Sequence, residues 1–292
     1  MLAYRHAFHA GNHADVLKHL VFTQVLRYMG EKDKPYTLID THAGAGGYSI
    51  EGRYAQKKGE YSLGVARLWD EDRTALPEPL QRYMALVKAF NPDGQLRQYP
   101  GSPALANLLM REQDRLRVFE LHPTENRILS SYLETRPNTQ VFDTDGFASM
   151  KSELPPPPAA RRAAVLMDPS YEIKTDYAKV LTALREGLQR MAETVFIIWY
   201  PQLQLIESAQ LAQRLKAAAD AEKYGAKKGW LHVRLTVKQQ DNDRGVGMLG
   251  SGMFIANPPF TLHDELAECM PLLVEKLGQY DGANFVLEQK VV

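Results

Sequence analysis

A single cysteine, Cys269, is the only thiol in this 292-residue chain. One thiol excludes a disulfide scaffold and a thiolate zinc site, and it suits a reducing compartment. The chain also lacks any apolar run long enough to span a bilayer. Its first twenty residues carry four histidines where a secretory signal would have an apolar core. A cytoplasmic protein is the expectation. Net charge is absent too: 35 Lys+Arg balance 35 Asp+Glu. That excludes a histone-like or tail-driven binder of polyanions and leaves recognition to a local patch. There is no glycine period, no internal repeat and no linker. The one low-complexity stretch, Pro155 to Pro158, reads as a stiff surface connection. What remains is a chain with 45% hydrophobic residues, enough to bury a core of one large domain or two modest ones.

Short apolar runs rich in β-branched and aromatic residues predict strands at Tyr36 to Asp40, Leu116 to Leu121, Thr139 to Phe142, Ala163 to Asp168 and Thr194 to Tyr200. Between them lie helical patterns at Ala14 to Met29, Pro103 to Gln113, Glu125 to Glu134 and Tyr177 to Met191. Alternation of this kind predicts an α/β fold with a mostly parallel sheet. After a helix at Ile206 to Ala221, Leu231 to Val237 and Gly252 to Ala256 flank a Gly-rich turn and predict an antiparallel hairpin. The stretch 47–101 breaks the alternation. It has helical pieces such as Leu80 to Phe90 but no convincing buried strand, and reads as an inserted helical subdomain.

The turn Asp40-Thr41-His42-Ala43-Gly44-Ala45-Gly46 follows the first strand directly. Glycines there let backbone approach a ligand beyond the carboxyl ends of the strands. Ser49 stands where the dinucleotide fingerprint needs a third glycine, and no acid ends a strand about twenty residues on, so a nicotinamide enzyme fits poorly. Asp40, Gly44 and Gly46, with Glu120 closing the next strand, instead resemble the S-adenosylmethionine loop of Rossmann-like methyltransferases. The second acid of that pattern takes the ribose hydroxyls. Removing the insertion restores the spacing and makes Ser102-Pro103 the start of the helix that follows the loop, which makes Ser102 a candidate contact. Asp145-Gly146 stands where such enzymes place an acceptor for the cofactor's adenine, although Asp-Gly is equally an ordinary turn.

Two segments resemble the motif of enzymes that methylate amino or amide nitrogens, an Asp, Asn or Ser followed by two prolines and an aromatic ring. They are Asp168-Pro169-Ser170-Tyr171 and Asn257-Pro258-Pro259-Phe260. The lone pair of an adenine amino group is delocalised into its ring. A carboxylate and a backbone carbonyl accepting its two N–H bonds would draw the nitrogen toward tetrahedral geometry and aim the lone pair. The second segment matches the pattern better. The first follows the fourth parallel strand, where a ligand must lie, and supplies an anionic acceptor. We therefore expect catalysis from Asp168 and the Pro169 carbonyl, base stacking by Tyr171, and a structural turn at Asn257 to Phe260.

The N-terminal segment, Tyr4-Arg5-His6-Ala7-Phe8-His9-Ala10-Gly11-Asn12-His13, invites a metal reading, but no Cys or Glu joins its histidines, so no metal is expected. Stacking and phosphate contacts suit it better. Taken with Ala14-Asp15-Val16-Leu17-Lys18-His19, Asp40 to Gly46, Tyr99 to Pro103, Glu120 to Pro123 and Trp199-Tyr200-Pro201, it resembles the ribosomal large subunit methyltransferase J family. The resemblance spans nearly the whole chain. It implies a monomeric, S-adenosylmethionine-dependent adenine-N6 methyltransferase acting on 23S ribosomal RNA at adenine 2030. It further implies cofactor contacts at His19, His42, Gly44, Ser102, Glu120, Asp145 and Gly146, and catalysis at Asp168. Substrate and activity roles are implied for Tyr4, His6 and Lys18, with residues 1–13 as a substrate arm. Ser170 departs from the second proline. The tetrad is shared with DNA adenine and protein-glutamine methyltransferases, and a non-catalytic RNA binder on the same fold is the alternative from another class. From Arg214 to Arg244 eight basic residues face four acids, and this stretch is expected to help hold phosphates.

Overall fold

The computed structural model describes residues 6–51, 59–239 and 247–292. Its strands are β1 (Tyr36–Asp40), β2 (Gly47–Ser49), β3 (Gln98–Pro100), β4 (Arg115–Phe119), β5 (Thr139–Phe142), β6 (Arg162–Met167), β7 (Val195–Gln202), β8 (Trp230–Thr236), β9 (Gly250–Ala256) and β10 (Asn284–Lys290). The helices are α1 (His13–Gly30), α2 (Ala66–Trp69), α3 (Glu78–Ala89), α4 (Ser102–Leu109), α5 (Pro123–Leu133), α6 (Gly146–Glu153), α7 (Thr175–Arg190), α8 (Ile206–Ala219) and α9 (Leu262–Leu277).

One eight-stranded sheet has the order β10-β8-β9-β7-β6-β1-β4-β5. Strands β5, β4, β1, β6 and β7 run parallel, while β9 is antiparallel to β7, β8 to β9 and β10 to β8. The order turns outward in both directions from the β1–β6 pair, which is the switch point where open α/β sheets bind ligands. Both faces of the sheet are covered. One apolar cluster joins α1, α3 and α9 to it through Leu17, Phe22, Tyr83 and Met270, and the other joins α7 and α8 through Val180, Leu184, Leu211 and Leu215. This is the Rossmann-like α/β arrangement expected, including the β8–β9 hairpin.

Helix α1 departs from an ordinary surface helix. Asn12 caps it, accepting from the Ala14 and Asp15 N–H groups, and 15 of its 18 residues are buried, so it has no solvent face. Its polar residues Asp15, Lys18, His19, Thr23 and Gln24 must therefore find partners inside the protein.

Four details differ from the sequence expectation. Strand β4 stops at Phe119, so Glu120 stands just beyond it, and Gly101 rather than Ser102 occupies the N-cap of α4. The inserted region is bracketed by an antiparallel ribbon of β2 and β3, with Tyr99 fully buried, a strand pair too short to show a period. Helix α9 and edge strand β10 were not predicted. The first carries Pro271 in its interior, and the second alternates irregularly between part-buried and exposed. No helix among the described residues is long and apolar enough to cross a membrane.

Candidate active site

The carboxyl ends of β1, β4 and β6 open into a cavity of about 400 Å³. That size lies within the range of about 300–1,000 Å³ usual for small-molecule sites. At its base Asp40 is buried, with one carboxyl oxygen accepting the Ser102 hydroxyl (2.6 Å) and the other the His42 N–H (3.2 Å). Burial pushes this carboxyl up to about 7, against the pull of those two hydrogen bonds.

The glycine loop is fixed by Glu120. One Glu120 oxygen accepts the Gly44 N–H (2.8 Å) and the other the His122 N–H (2.6 Å). Gly44 sits at φ +62°, a left-handed conformation that favours glycine, and a Cβ there would run into the Tyr48 hydroxyl. The carboxylate is thus held at the cavity wall with a spare lone pair on each oxygen. On the same wall Asp145 caps α6, accepting from the Phe147 and Ala148 N–H groups. Gly146 is required for packing, because a Cβ would strike the Thr41 carbonyl oxygen.

Two histidines line the cavity in neutral form. Thr41 donates its hydroxyl proton to the Leu166 carbonyl (3.0 Å), so its oxygen is left to accept from His42 Nδ1 (2.8 Å). This places the His42 proton on Nδ1 and leaves Nε2 as an acceptor. Burial brings His42 down to about 4, and its ring meets Phe147 edge-on at 4.7 Å. His19 bonds the Tyr99 hydroxyl through Nδ1 (2.7 Å), and its buried Nε2 has no partner among the described residues. Burial, then the Lys18 charge, hold His19 well below its usual value.

Opposite this wall stands Asp168. Its side chain is 16% exposed, and one oxygen lies 2.5 Å from the Lys18 ammonium. Lys18 also reaches the Asp15 carboxylate at 2.8 Å. Asp15 in turn accepts the Gly11 N–H and pairs with His6 Nε2, each at 2.9 Å. Burial alone would neutralise the ammonium, yet the two carboxylates hold Lys18 above its ordinary value and charged. Burial raises Asp168 while Lys18 opposes the shift.

Pro169 and Ser170 line the cavity next to Asp168, as do His6, Lys18, Ser102 and Gly146. Tyr171 does not offer the surface expected of it. Its ring is 4% exposed, tilts against Tyr177 and Trp199, and its hydroxyl donates to the Trp199 carbonyl (2.7 Å). The left-handed φ of +53° at Tyr171 turns the ring away from the cavity and into the core. Tyr4 lies outside the described residues.

The second tetrad stands elsewhere. Strand β9 runs antiparallel, so Asn257 lies at the end of the sheet remote from the cavity. The buried Asn257 accepts the Lys228 N–H and donates to the Ala192 and Thr194 carbonyls, each at 2.8 Å. The basic stretch from Arg214 is not one surface. Lys223, Lys227 and Lys228 precede β8 at the remote end, Lys238 follows it at the cavity end, and Arg244 lies outside the described residues. A strand of seven residues separates the two groups by about 20 Å.

Sequence reading missed Asp15, Thr41 and His122, which lines the cavity and whose buried Nδ1 has no partner among the described residues. Only Asp15 left a signal, an acid and a base three apart on a helix with no polar face.

A family model described as Ribosomal RNA large subunit methyltransferase D, RlmJ, matches residues 33–287. The chain belongs to this family. Ribosomal RNA large subunit methyltransferase J of Escherichia coli K12 is 45% identical over 278 residues, covering 95% of this chain and 94% of the relative. The protein of the same name from Haemophilus influenzae is 41% identical over 289 residues, 99% and 98% of the two chains. Among solved structures, protein LPL1258 of Legionella pneumophila superposes with a TM-score of 0.85 at 31% identity, covering 96% of this chain and 98% of its own. Fold and family are those of a methyltransferase.

Proposed function

We propose that this protein transfers a methyl group from S-adenosylmethionine to the N6 amino group of one adenine in 23S ribosomal RNA. The observation that carries the reading is Asp168, a partly exposed carboxylate fixed by Lys18 at the rim of a cavity whose far wall holds Glu120, His42 and Asp145. The family and the relatives' names supply the substrate class.

The donor set fits the cofactor. Glu120, oriented by two backbone N–H groups, suits a ribose diol, which needs an anionic acceptor. His42 and Phe147 suit the flat adenine, and the unpartnered His19 Nε2 and Ser102 suit the polar methionine end. When bound, this cofactor supplies an activated methyl group on a sulfonium, so the protein need not activate the leaving group.

What the chain itself must do is aim a weak nucleophile. Asp168 accepts one N6–H bond and the Pro169 carbonyl the other, which localises the lone pair on nitrogen. With N6 so aimed, the lone pair would take the methyl group that the cofactor supplies, the sulfur keeping the electron pair of the bond it gives up. The N6 proton then leaves through Asp168 or to solvent. Ser170 keeps a backbone carbonyl where the motif has a second proline. Residues 1–13, through His6 and the region around Tyr4, act as a substrate arm, and the insertion 47–101 adds shape beside it.

The test is transfer of tritiated methyl from labelled cofactor to 23S RNA lacking the modification, followed by nucleoside analysis. N6-methyladenine is the expected product. Absence of transfer while the cofactor binds, or transfer only to DNA or to a glutamine peptide, overturns the reading.

A further inference from the structure

The catalytic carboxylate does not stand alone. Four side chains form one continuous line from the N-terminal segment to the reacting face: His6, Asp15, Lys18 and Asp168, with contacts of 2.9, 2.8 and 2.5 Å. Asp15 is the hinge of this line. Its side chain is 2% exposed, and it uses one oxygen for Lys18 and the other for His6 and the Gly11 N–H. A buried acid with three charged or polar partners is not needed to cap α1, which Asn12 already caps.

We propose that Asp15 is a positioning residue for methyl transfer, holding the Lys18 ammonium between two carboxylates so that Asp168 is fixed in place and stays a basic acceptor, and tying that arrangement to His6. The inference rests on the adenine-N6 reading for its role in turnover, and on geometry alone for its effect on Asp168.

The physical reason is charge sharing. An ammonium paired with a single buried carboxylate draws that carboxylate's electron density to itself, leaving a poor acceptor for an amino proton. An ammonium shared by two carboxylates leaves the pair with net negative charge. Among the described residues, the charged and titratable groups facing Asp168 are Lys18 and Asp15 from α1, His6 from the N-terminal segment, Asp40 from the end of β1, and Tyr171 from its own turn. Removing Asp15 takes away an anion that opposes ionisation of Asp168, so Asp168 must titrate lower. Lys18 then grips it more tightly.

The test uses Asp15→Asn, which keeps the size and an acceptor for the Gly11 N–H. In protein labelled with ¹³C at aspartate carboxyls, with no RNA or cofactor present, Asp168 should titrate lower by about half a pH unit or more. Asp168→Asn assigns the resonance. In turnover, kcat should fall about tenfold with cofactor affinity and the KM for RNA within about twofold, and the acid limb of the rate profile should move with the titration. In a Lys18→Gln background, where the ammonium is gone, Asp15→Asn should add no further loss. An unmoved Asp168 titration overturns the inference whatever the acceptor proves to be. So does a loss that is equally large in the Lys18→Gln background, which marks Asp15 as a fold support. Failure of wild-type transfer to 23S RNA, with the Asp168 titration shifting as expected, overturns the substrate reading and leaves the charge arrangement standing.

Discussion

Asp168-Pro169-Ser170-Tyr171 and Asn257-Pro258-Pro259-Phe260 fit one pattern in sequence and are opposites in the folded protein. Each follows a buried strand, and each contains a residue in the left-handed region, Tyr171 at φ +53° and Asn257 at φ +56°. Strand β6 belongs to the parallel set and delivers its turn to the cavity. Strand β9 runs the other way and delivers its turn to the remote end. There every polar atom of the Asn257 side chain is satisfied by backbone, whereas among the described residues Asp168 pairs with one lysine and lines the cavity. The lesson is that strand direction, which a local pattern does not contain, decides whether such a turn is a site or a cap.

Substitution at the two leading residues tests this most severely. Asp168→Ala should lower methyl transfer by about 10²–10⁴-fold while cofactor binding persists, because it removes an acceptor used only in aligning the amino group. Asn257→Ala should leave transfer per folded molecule within about twofold. A comparable loss at Asn257 would collapse the distinction.

The same Asn257→Ala variant should fail in the other currency. It strands the Lys228 N–H and the carbonyls of Ala192 and Thr194 in a buried place, at a cost of about 2–4 kcal/mol in urea unfolding. Asp168, partly exposed and set against an ammonium, should cost less stability on conversion to Asn.

A pH experiment sharpens the contrast, because the cavity end carries buried titratable groups. Asp40 stands at about 7 when folded and near 3.8 when unfolded, so between those values the folded protein holds a proton that the unfolded chain has lost. Its stabilising contribution is complete below pH 3.8 and is lost as pH rises through 7. His13 and His42, brought down to about 4 by burial, act in the opposite sense: their contribution is present above 6.5 and is lost as pH falls toward 4. Asp40→Asn should therefore gain stability over wild type as pH rises, by about 1–3 kcal/mol more at pH 8 than at pH 5. Urea midpoints at the two pH values measure this, and a variant less stable at pH 8 would mean that burial does not govern Asp40.

The parallel strands were legible because each is buried on both faces and reads as a continuous apolar run. Asp40, Glu120 and Asp168 were legible because strand ends in such a sheet must carry whatever chemistry there is. Three things were hidden for different reasons. The β2–β3 ribbon has three residues a side, too few for a period. Asp15 stands in the first turn of α1, where an acid favours a helix N-terminus anyway, so its spacing to Lys18 gains meaning only once α1 is seen to be buried. Tyr171 carried the motif's aromatic position, but a pattern cannot reveal the backbone conformation that turns the ring inward.

The aromatic residues closing the two turns yield the smallest expected effects and the finest test. Tyr171→Phe keeps the buried ring and loses one hydrogen bond to the Trp199 carbonyl, so about 1 kcal/mol of stability should go and transfer should stay within about threefold. Phe260 is 76% exposed and touches Tyr28 edge-on at 5.6 Å, so Phe260→Ala should change stability by less than about 0.5 kcal/mol. It should also leave the KM for RNA unchanged, since it stands at the end of the sheet away from Asp168. If Phe260→Ala weakened RNA binding while Tyr171→Phe did not, the remote turn would be a contact for the substrate body, and the two ends of the sheet would share one extended RNA surface rather than dividing chemistry from support.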